Sequence, residues 1–275
     1  MSGGPDRRTA YDSYLRAREL HELQSPVSAT EGEQSFLVVC QVQELWFGLI
    51  GTDLRTARAH LDADRPQSAA ATLRRAASHF GGLNASWDSL SWMTPRDFHP
   101  IKQGMTATHG RSSSLQSWKY RELTFLLGLK DPALAEPVAD VAEQHDVLQA
   151  ALRAPSVYDA ALGVLHRRGF TVPAAYAEPG AAQPPGGHRE PRADVERAWG
   201  AVYAGAAEHA DLRALADALF AVAEGFAGYK HRHLVATRRT LGRRPAYYAS
   251  GVDWLLGAID ELPFPEMWTL HTPDE

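Results

Sequence analysis

Apolar residues recur at spacings of three and four along most of the chain, and the alternation typical of strands is rare. This pattern predicts an all-α fold, a single helical-bundle domain over residues 1–275. Proline and glycine separate the elements; Pro95 and Pro100 indicate an irregular segment, and the Pro/Gly/Ala-rich stretch 171–194 is predicted to be a flexible loop. The predicted helices cover residues 11–24, 34–61, 66–92, 114–129, 132–151, 155–168, 192–205, 208–241 and 247–261.

The long helix predicted over 208–241 carries a histidine on its apolar face. His233 shares one stripe with Leu219, Val222, Phe226, Tyr229 and Ala236. Its neighbour His231 lies about 200° around the helix, among polar residues. Buried imidazoles need partners for their ring nitrogens. His233 is therefore either a satisfied core histidine or the ligand of a large apolar cofactor, and a haem iron fits that description.

Composition excludes several classes of protein. The net charge of −5 gives no general attraction to nucleic acid. There is no continuous apolar run near 18 residues, and the first residues lack the apolar region of a secretory signal. Cys40 is the single cysteine, which excludes an internal disulfide and a thiolate zinc cluster. We therefore expect a soluble, cytoplasmic protein that spans no membrane.

Two helices carry candidate chemistry. Phe36, Cys40 and Phe47 fall within about 40° on one helix, so Cys40 either is a small core hydrophobe or lines a pocket. Arg121 follows the serines 112–114, which are natural N-caps. It is either a solvated charge or a residue that grips a carboxylate bidentately, such as that of an amino acid.

The remaining candidates are weaker. His99 and His109 have no second ligand at metal-binding spacing, so we expect surface or turn histidines. Phosphate loops, nucleophile elbows and zinc-protease motifs are absent from the sequence. The aromatic, proline-bound tail that begins at Leu262 is expected to pack back on the body as a lid or a subunit contact.

Segments along nearly the whole chain, taken in order, resemble the tryptophan 2,3-dioxygenase family. They are YDSYLRARELHELQSP, FLVVCQVQELWFGLI, LSWMTPRDFHPI, SSLQSWKYREL, ALRAPSVYDAALGVLHRRGFTVP, RAWGAVY and YKHRHLVATRRTLG. The resemblance implies an all-α enzyme with a haem pocket, haem b as cofactor and O2 as co-substrate. It implies that His233 is the axial iron ligand and that Tyr229 is an aromatic residue one turn before it.

The same resemblance implies a substrate site for an aromatic amino acid. Arg121 matches the arginine that binds the substrate carboxylate, Phe36 matches an aromatic residue that contacts the indole, and Cys40 occupies the position of the distal histidine. The family assembles as a homotetramer of interlocked dimers, so a tetramer or dimer is expected. The N-terminal helix that enters a neighbouring pocket is matched by Tyr11, Tyr14 and Leu15.

The sequence departs from the family at two places. Cys40 replaces the distal histidine, and GRRPAYYASG replaces the loop whose threonine holds the substrate ammonium; only Ser250 and Gly251 match the end of that loop. These changes favour monooxygenation of tryptophan or a modified tryptophan, giving a 2-oxindole or hydroxylated product in specialised metabolism. The alternatives are ring cleavage to N-formylkynurenine, a haem-binding sensor without turnover, and a helical scaffold in which His233 is core packing.

Overall fold

The computed structural model describes residues 8–110, 117–176, 190–205, 207–241 and 249–270, without the side chains of 174, 249–251, 253 and 254. Within these ranges the regular elements are helices and no strand occurs, so the all-α prediction is confirmed. The α-helices are α1 (Ala10–Leu15), α2 (Ala17–Glu22), α3 (Glu33–Asp62), α4 (Pro66–Ser86), α5 (Pro95–His109), α6 (Trp118–Leu126), α7 (Ala142–Arg153), α8 (Val157–Arg167), α9 (Ala193–Ala204), α10 (Ala210–Leu241), α11 (Ala249–Ala258) and α12 (Pro265–Trp268).

The core forms where the two long helices, α3 and α10, pack on the two sides of α4. The predicted stripe of α10 is buried from Leu212 to His233, and α8 and α6 cover α3 from the other direction. Small residues on the buried face of α4, among them Ala69, Ala70 and Ala76, allow these helices to approach closely. This packing buries one face of α10 from Leu212 to Leu234, whereas no residue over 235–241 is buried.

Gly225 marks the closest approach of α10 to α4. A Cβ at this position would lie 2.6 Å from the Phe80 Cβ, an atom that cannot move without its helix. We expect Gly225→Ala to lower the free energy of unfolding by about 1–3 kcal/mol because of overpacking. Gly200→Ala is the control, since nothing lies within 4 Å there and alanine favours a helix by about 1 kcal/mol. Urea denaturation measures the free energy of unfolding of both variants. Equal stabilisation of Gly225→Ala and Gly200→Ala would contradict the close contact between Gly225 and Phe80.

The largest departure from the predicted elements is α5, because an irregular segment was expected there. Thr94 and Asp97 form a capping box. Pro95 occupies the first helical turn, where backbone N–H groups have no acceptor within the helix, so the lack of an N–H in proline costs no hydrogen bond. Pro100 lies inside the helix and is exposed. The prediction from the two prolines was therefore wrong, since one begins the helix and the other removes a single backbone hydrogen bond without ending it.

Other predicted helices are interrupted rather than absent. The N-terminal helix breaks at Arg16, whose φ is 54°. The segment predicted as a helix over 66–92 ends at Ser86 and continues as the 3-10 turn Trp87–Leu90. The segment 132–151 divides into the 3-10 turn Pro132–Val138 and α7. Apolar periodicity does not separate a 3-10 turn from an α-helical one, so these breaks were missed.

The C-terminal segment packs into the main core, as expected. Phe264 is 1% exposed and Glu266 is fully buried. Glu266 accepts hydrogen bonds from the Tyr158 hydroxyl at 3.0 Å and from the Arg192 backbone N–H at 3.2 Å. The Tyr158 hydroxyl in turn accepts the indole N–H of Trp199 at 3.0 Å. This network fixes the tail to α8 and to the start of α9.

The predicted loop over 171–194 is shorter than expected at both ends. Val172 and Tyr176 are buried in the main core, and α9 begins at Ala193. Apolar side chains within a Pro/Gly/Ala-rich stretch were enough to order its start against the core. Residues 177–189 lie outside the part of the chain that the structure describes.

Helix α3 is long and apolar enough to cross a membrane by length and composition alone, and among the described residues it is the one helix that meets this criterion. The sequence contains no continuous apolar run of this length, but an average over a window tolerates the polar residues that interrupt such a run. Glu33, Gln43 and Asp53 of α3 are buried, and the helix packs on α4, α6 and α8. These contacts place one face of α3 in the core, while 28% of its apolar window is buried.

Candidate functional site

His233 lies on the buried face of α10, at 7% exposure. Neither ring nitrogen makes a hydrogen bond to any residue that the structure describes, and burial alone lowers the pKa of His233 to about 4. His231 is exposed, and its Nδ1 lies 2.9 Å from the Ala227 carbonyl oxygen. The apolar stripe therefore separated the two histidines by face correctly. His233 is a neutral imidazole whose ring nitrogens remain available to a ligand.

Aromatic rings surround His233. The indole of Trp87 stacks on the imidazole, with centroids 5.1 Å apart and planes 18° apart, and the Tyr229 ring lies 5.9 Å away. Tyr229 also meets Phe47 at 5.4 Å and Tyr120 at 5.6 Å. The imidazole thus lies in an aromatic environment rather than an aliphatic one. Periodicity could not identify Trp87, because it lies in the 3-10 turn after α4.

Phe36 and Cys40 lie one helical turn apart on α3, and both are half-buried. The Phe36 ring packs edge-on against Phe98 of α5, with centroids 5.5 Å apart. Burial, and then the charge of Glu44, raise the pKa of the Cys40 thiol to about 12. The negative form of Cys40 also contributes to the raised pKa of Tyr229, which shows that the two side chains are near each other. Cys40 is a protonated thiol beside the aromatic cluster.

Arg121 lies on α6 and is 7% exposed. Burial lowers the pKa of this guanidinium, so the alternative of a solvated surface charge does not hold. The N-cap of α6 is Ser117, whose hydroxyl accepts the Tyr120 N–H at 3.0 Å. Residues 112–114, which the sequence suggested as caps, lie outside the described residues. A buried guanidinium one turn into a helix is a suitable partner for a ligand carboxylate.

Several predicted site residues are not brought to this cluster within the chain. Tyr11 is 71% exposed, Tyr14 is 87% exposed and Leu15 is 41% exposed. Their helix, α1, contacts α2. Ser250 and Gly251 lie in the backbone of α11, and their side-chain positions fall outside the described residues.

A cluster of metal-ligating side chains does not occur among the described residues. They contain no group of three or more His, Cys, Asp and Glu side chains close enough to hold an ion. His109 is exposed and His99 half-buried.

A cavity of about 330 Å³ opens between α6, α10 and α11, adjacent to the aromatic cluster. Tyr120, Phe226, Lys230 and Glu261 are among its lining residues, and the Lys230 ammonium lies 5.3 Å from the centre of the Phe226 ring. His233 is not among its lining residues. The Lys230 ammonium donates to the backbone oxygens of Ala258 and Glu261, both at 2.5 Å. Lys230 therefore ties α10 to the C-terminal end of α11.

Lys230 gives a pH prediction. Burial lowers its pKa from 10.5 to about 8, so between these pH values the unfolded chain binds more protons than the folded one. The stability of the native chain, relative to a Lys230→Met variant, should therefore rise by up to about 3 kcal/mol from pH 8 to 10.5. Urea unfolding of both proteins across this range measures the difference. A difference that does not change with pH would contradict the assignment.

Known proteins are similar in sequence to this chain over nearly its full length. The sequence profile of the tryptophan 2,3-dioxygenase family matches residues 4–155. A tryptophan 2,3-dioxygenase of Polaromonas sp. is 35% identical over 267 residues, 97% of this chain and 88% of the relative. Those of Cupriavidus necator and Pseudomonas aeruginosa are 33% and 32% identical, each over 96% of this chain and over 87% and 89% of the relative.

The fold and the site define an all-α protein with a buried, neutral histidine among aromatic rings on α10 and a buried arginine on α6. With the match of the family profile and these full-length relatives, the chain belongs to the tryptophan 2,3-dioxygenase family. The resemblance identified from the sequence segments is thereby confirmed, as is the prediction of an enzyme of this oxygenase class.

Proposed function

We propose that the chain is a haem-dependent dioxygenase that opens the indole ring of tryptophan between C2 and C3, giving N-formylkynurenine. The observation that carries this proposal is the buried, neutral His233, which has no hydrogen-bond partner among the described residues, in a chain of this family. The names of the relatives favour ring cleavage over the single oxygen insertion expected from the departures in sequence. Nothing in the comparisons supports monooxygenation or a role in specialised metabolism.

The described residues fit a haem. A neutral imidazole nitrogen is the donor that an iron porphyrin takes from a protein. Trp87, Tyr229 and Phe47 provide flat apolar surfaces suited to a porphyrin. His233 would hold the iron, and Tyr229 would pack beside it. When bound, the haem supplies the activation of O2, which side chains alone do not achieve.

The protein's own residues would position the substrate. Arg121 would bind the amino-acid carboxylate, and its burial makes that pairing stronger than it would be in water. Phe36 would pack against the indole ring. Cys40, whose pKa is about 12, would remain a neutral wall of the pocket with a weak S–H donor and would act neither as a base nor as a nucleophile.

The mass of the product tests this function. The purified protein is loaded with haem, reduced, and supplied with tryptophan in air. Gain of two oxygen atoms supports ring cleavage, and gain of one supports the monooxygenase alternative. An intense Soret band without any product indicates a haem-binding sensor. Absence of a Soret band after haem addition means that His233 is core packing and contradicts the proposal.

We further propose that the chain is one cytoplasmic domain that works as a homo-oligomer, a tetramer or dimer. Exposed apolar residues form one stripe along α3, at spacings of three and four. They are Val38, Val42, Leu45 and Leu49. Tyr11 and Tyr14 of α1 are also exposed, and with Leu15 they would complete the site of a second copy. An exposed apolar stripe such as that of α3 is typical of a subunit interface.

Leu45→Glu tests the oligomer. Leu45 is 66% exposed in the single chain, and a charge there should shift the protein toward smaller species by weakening the contact between copies. Light scattering after size-exclusion chromatography measures the mass. Val141→Glu is the control, since Val141 is 48% exposed at the start of α7, away from the stripe. An unchanged mass for both variants would exclude the α3 stripe from the interface.

A further inference from the structure

The proposed function does not use the cavity between α6, α10 and α11. Its volume of about 330 Å³ lies at the lower end of the range for small-molecule sites, which is about 300–1,000 Å³. Its lining combines apolar and charged side chains, among them Tyr120, Phe226, Leu134, Asp131, Lys230 and Glu261. A cavity of this size and mixed character is suited to a small amphipathic molecule.

Two aromatic rings give the cavity a flat apolar surface. The rings of Tyr120 and Phe226 are nearly parallel, with planes 16° apart and centroids 6.1 Å apart. The Lys230 ammonium lies 5.3 Å from the centre of the Phe226 ring, within the range of a cation–π interaction. The face of an aromatic ring attracts a cation, and its apolar area favours contact with a second ring. This part of the lining therefore suits a ligand that carries both groups.

The charges around the cavity favour a cation over an anion. Asp131 and Glu261 contribute two carboxylates, against one ammonium from Lys230. That ammonium already donates hydrogen bonds to the backbone oxygens of Ala258 and Glu261. Helices α6 and α11 also end beside the cavity, at Leu126 and Ala258, and the C-terminal end of a helix carries partial negative charge.

The Glu261 carboxylate is available to such a cation. It is exposed, and it makes no hydrogen bond or ion pair with any group in the part of the chain that the structure describes. Burial, and then the charge of Glu261, raise the pKa of Tyr120, which shows that the phenol lies near that carboxylate. The phenol oxygen and the carboxylate oxygens can both accept hydrogen bonds from an ammonium group.

We propose that this cavity binds a small aromatic amine, with its ring against Tyr120 and Phe226 and its ammonium near Asp131 and Glu261. The inference does not rest on the proposed function, because His233 does not line this cavity. The ammonium of an aromatic amino acid is another source of the same chemistry. Its carboxylate would lie among like charges, so an amine without a carboxylate is the better fit.

Three matched probes separate the contributions of the ring, the ammonium and a carboxylate. Phenethylamine, 2-phenylethanol and phenylalanine share one aromatic ring; the second lacks the ammonium, and the third adds a carboxylate. Each is titrated into the purified protein, and the heat of binding gives the Kd. We expect phenethylamine to bind roughly 10- to 100-fold more tightly than either of the other probes, because a charge-assisted hydrogen bond is worth that much.

Variants assign the binding to this cavity. Glu261→Gln should weaken phenethylamine by roughly 3- to 10-fold and leave 2-phenylethanol unchanged. Gly257→Leu should abolish binding by filling the cavity, and it should fold, since a Cβ at Gly257 meets nothing within 4 Å. The controls are Glu136→Gln, at an exposed carboxylate that does not line the cavity, and Gly200→Leu on α9, where the space around a Cβ is also open. Both should bind phenethylamine as the wild type does.

Four results would overturn the proposal. The first is equal affinity of the wild-type protein for phenethylamine and 2-phenylethanol, which can be measured without any variant. The second is unchanged phenethylamine binding in both Glu261→Gln and Gly257→Leu. The third is phenylalanine bound as tightly as phenethylamine, which would assign the cavity to an amino acid. The fourth is displacement of phenethylamine by haem, which would assign the cavity to the porphyrin. A protein that binds phenethylamine but no haem would contradict the proposed function alone.

Discussion

Replacing His233 with alanine is expected to remove most of the bound haem, whereas replacing His231 should leave haem content unchanged. His233 is buried among aromatic rings, while His231 is exposed and lies 2.9 Å from a carbonyl of its own helix. Loss of an axial ligand should cost more than the roughly 10- to 100-fold that loss of an outer-shell partner typically costs in metal affinity. The haem content of proteins purified from haem-supplemented cells, read from the Soret absorbance per chain, measures the effect.

Imidazole rescue separates iron ligation from packing at the same position. His233→Gly leaves a space that added imidazole can enter, so haem binding should return as imidazole is titrated into the buffer. Structural damage at this position would not be repaired in this way. Equal haem content in His233→Ala and His231→Ala would contradict the assignment of the two faces.

Arg121→Ala is the second substitution for which we expect a large effect. Arg121 is 7% exposed, so its pairing with a substrate carboxylate would take place away from water. Loss of that pair should weaken tryptophan binding by about 2–4 kcal/mol, roughly 30- to 1000-fold in Kd. Spectral titration of the haem-loaded protein with tryptophan measures the Kd. Haem content should be unchanged.

Two further variants define what Arg121 contributes. Arg121→Lys keeps the charge but loses bidentate geometry, so its Kd should lie between those of wild type and Arg121→Ala. Arg74→Ala removes an exposed arginine of α4 and should leave the Kd unchanged. Unaltered tryptophan affinity in Arg121→Ala would remove Arg121 from the substrate site.

The sequence predicted the burial of His233 because a helix repeats its face every three or four residues. One apolar stripe over 208–241 was long enough to separate His233 from His231. The burial of Arg121 could not be derived in the same way. It depends on which elements cover α6, and these come from distant parts of the chain. A helical charge seen in isolation is therefore assigned to the surface.

Other buried residues were missed for related reasons. Trp87 lies in a 3-10 turn, where no apolar period marks the buried side. Lys102 lies in α5, which the two prolines had excluded from the helical prediction. The capping box of Thr94 and Asp97 establishes the helix, but Lys102 is buried because other elements, among them α10, pack on α5. Tertiary contacts, rather than local preference, decide both positions.

The burial of Glu266 against Tyr158 has a consequence for biosynthesis. The N-terminus of a chain emerges from the ribosome first, and domains often begin to fold while synthesis continues. Here the Tyr158 hydroxyl, which accepts the indole N–H of Trp199, lacks its own acceptor until residue 266 has emerged. The core of the nascent protein therefore remains incomplete until residue 266 has been synthesised. Chaperones can bind the nascent chain during that interval.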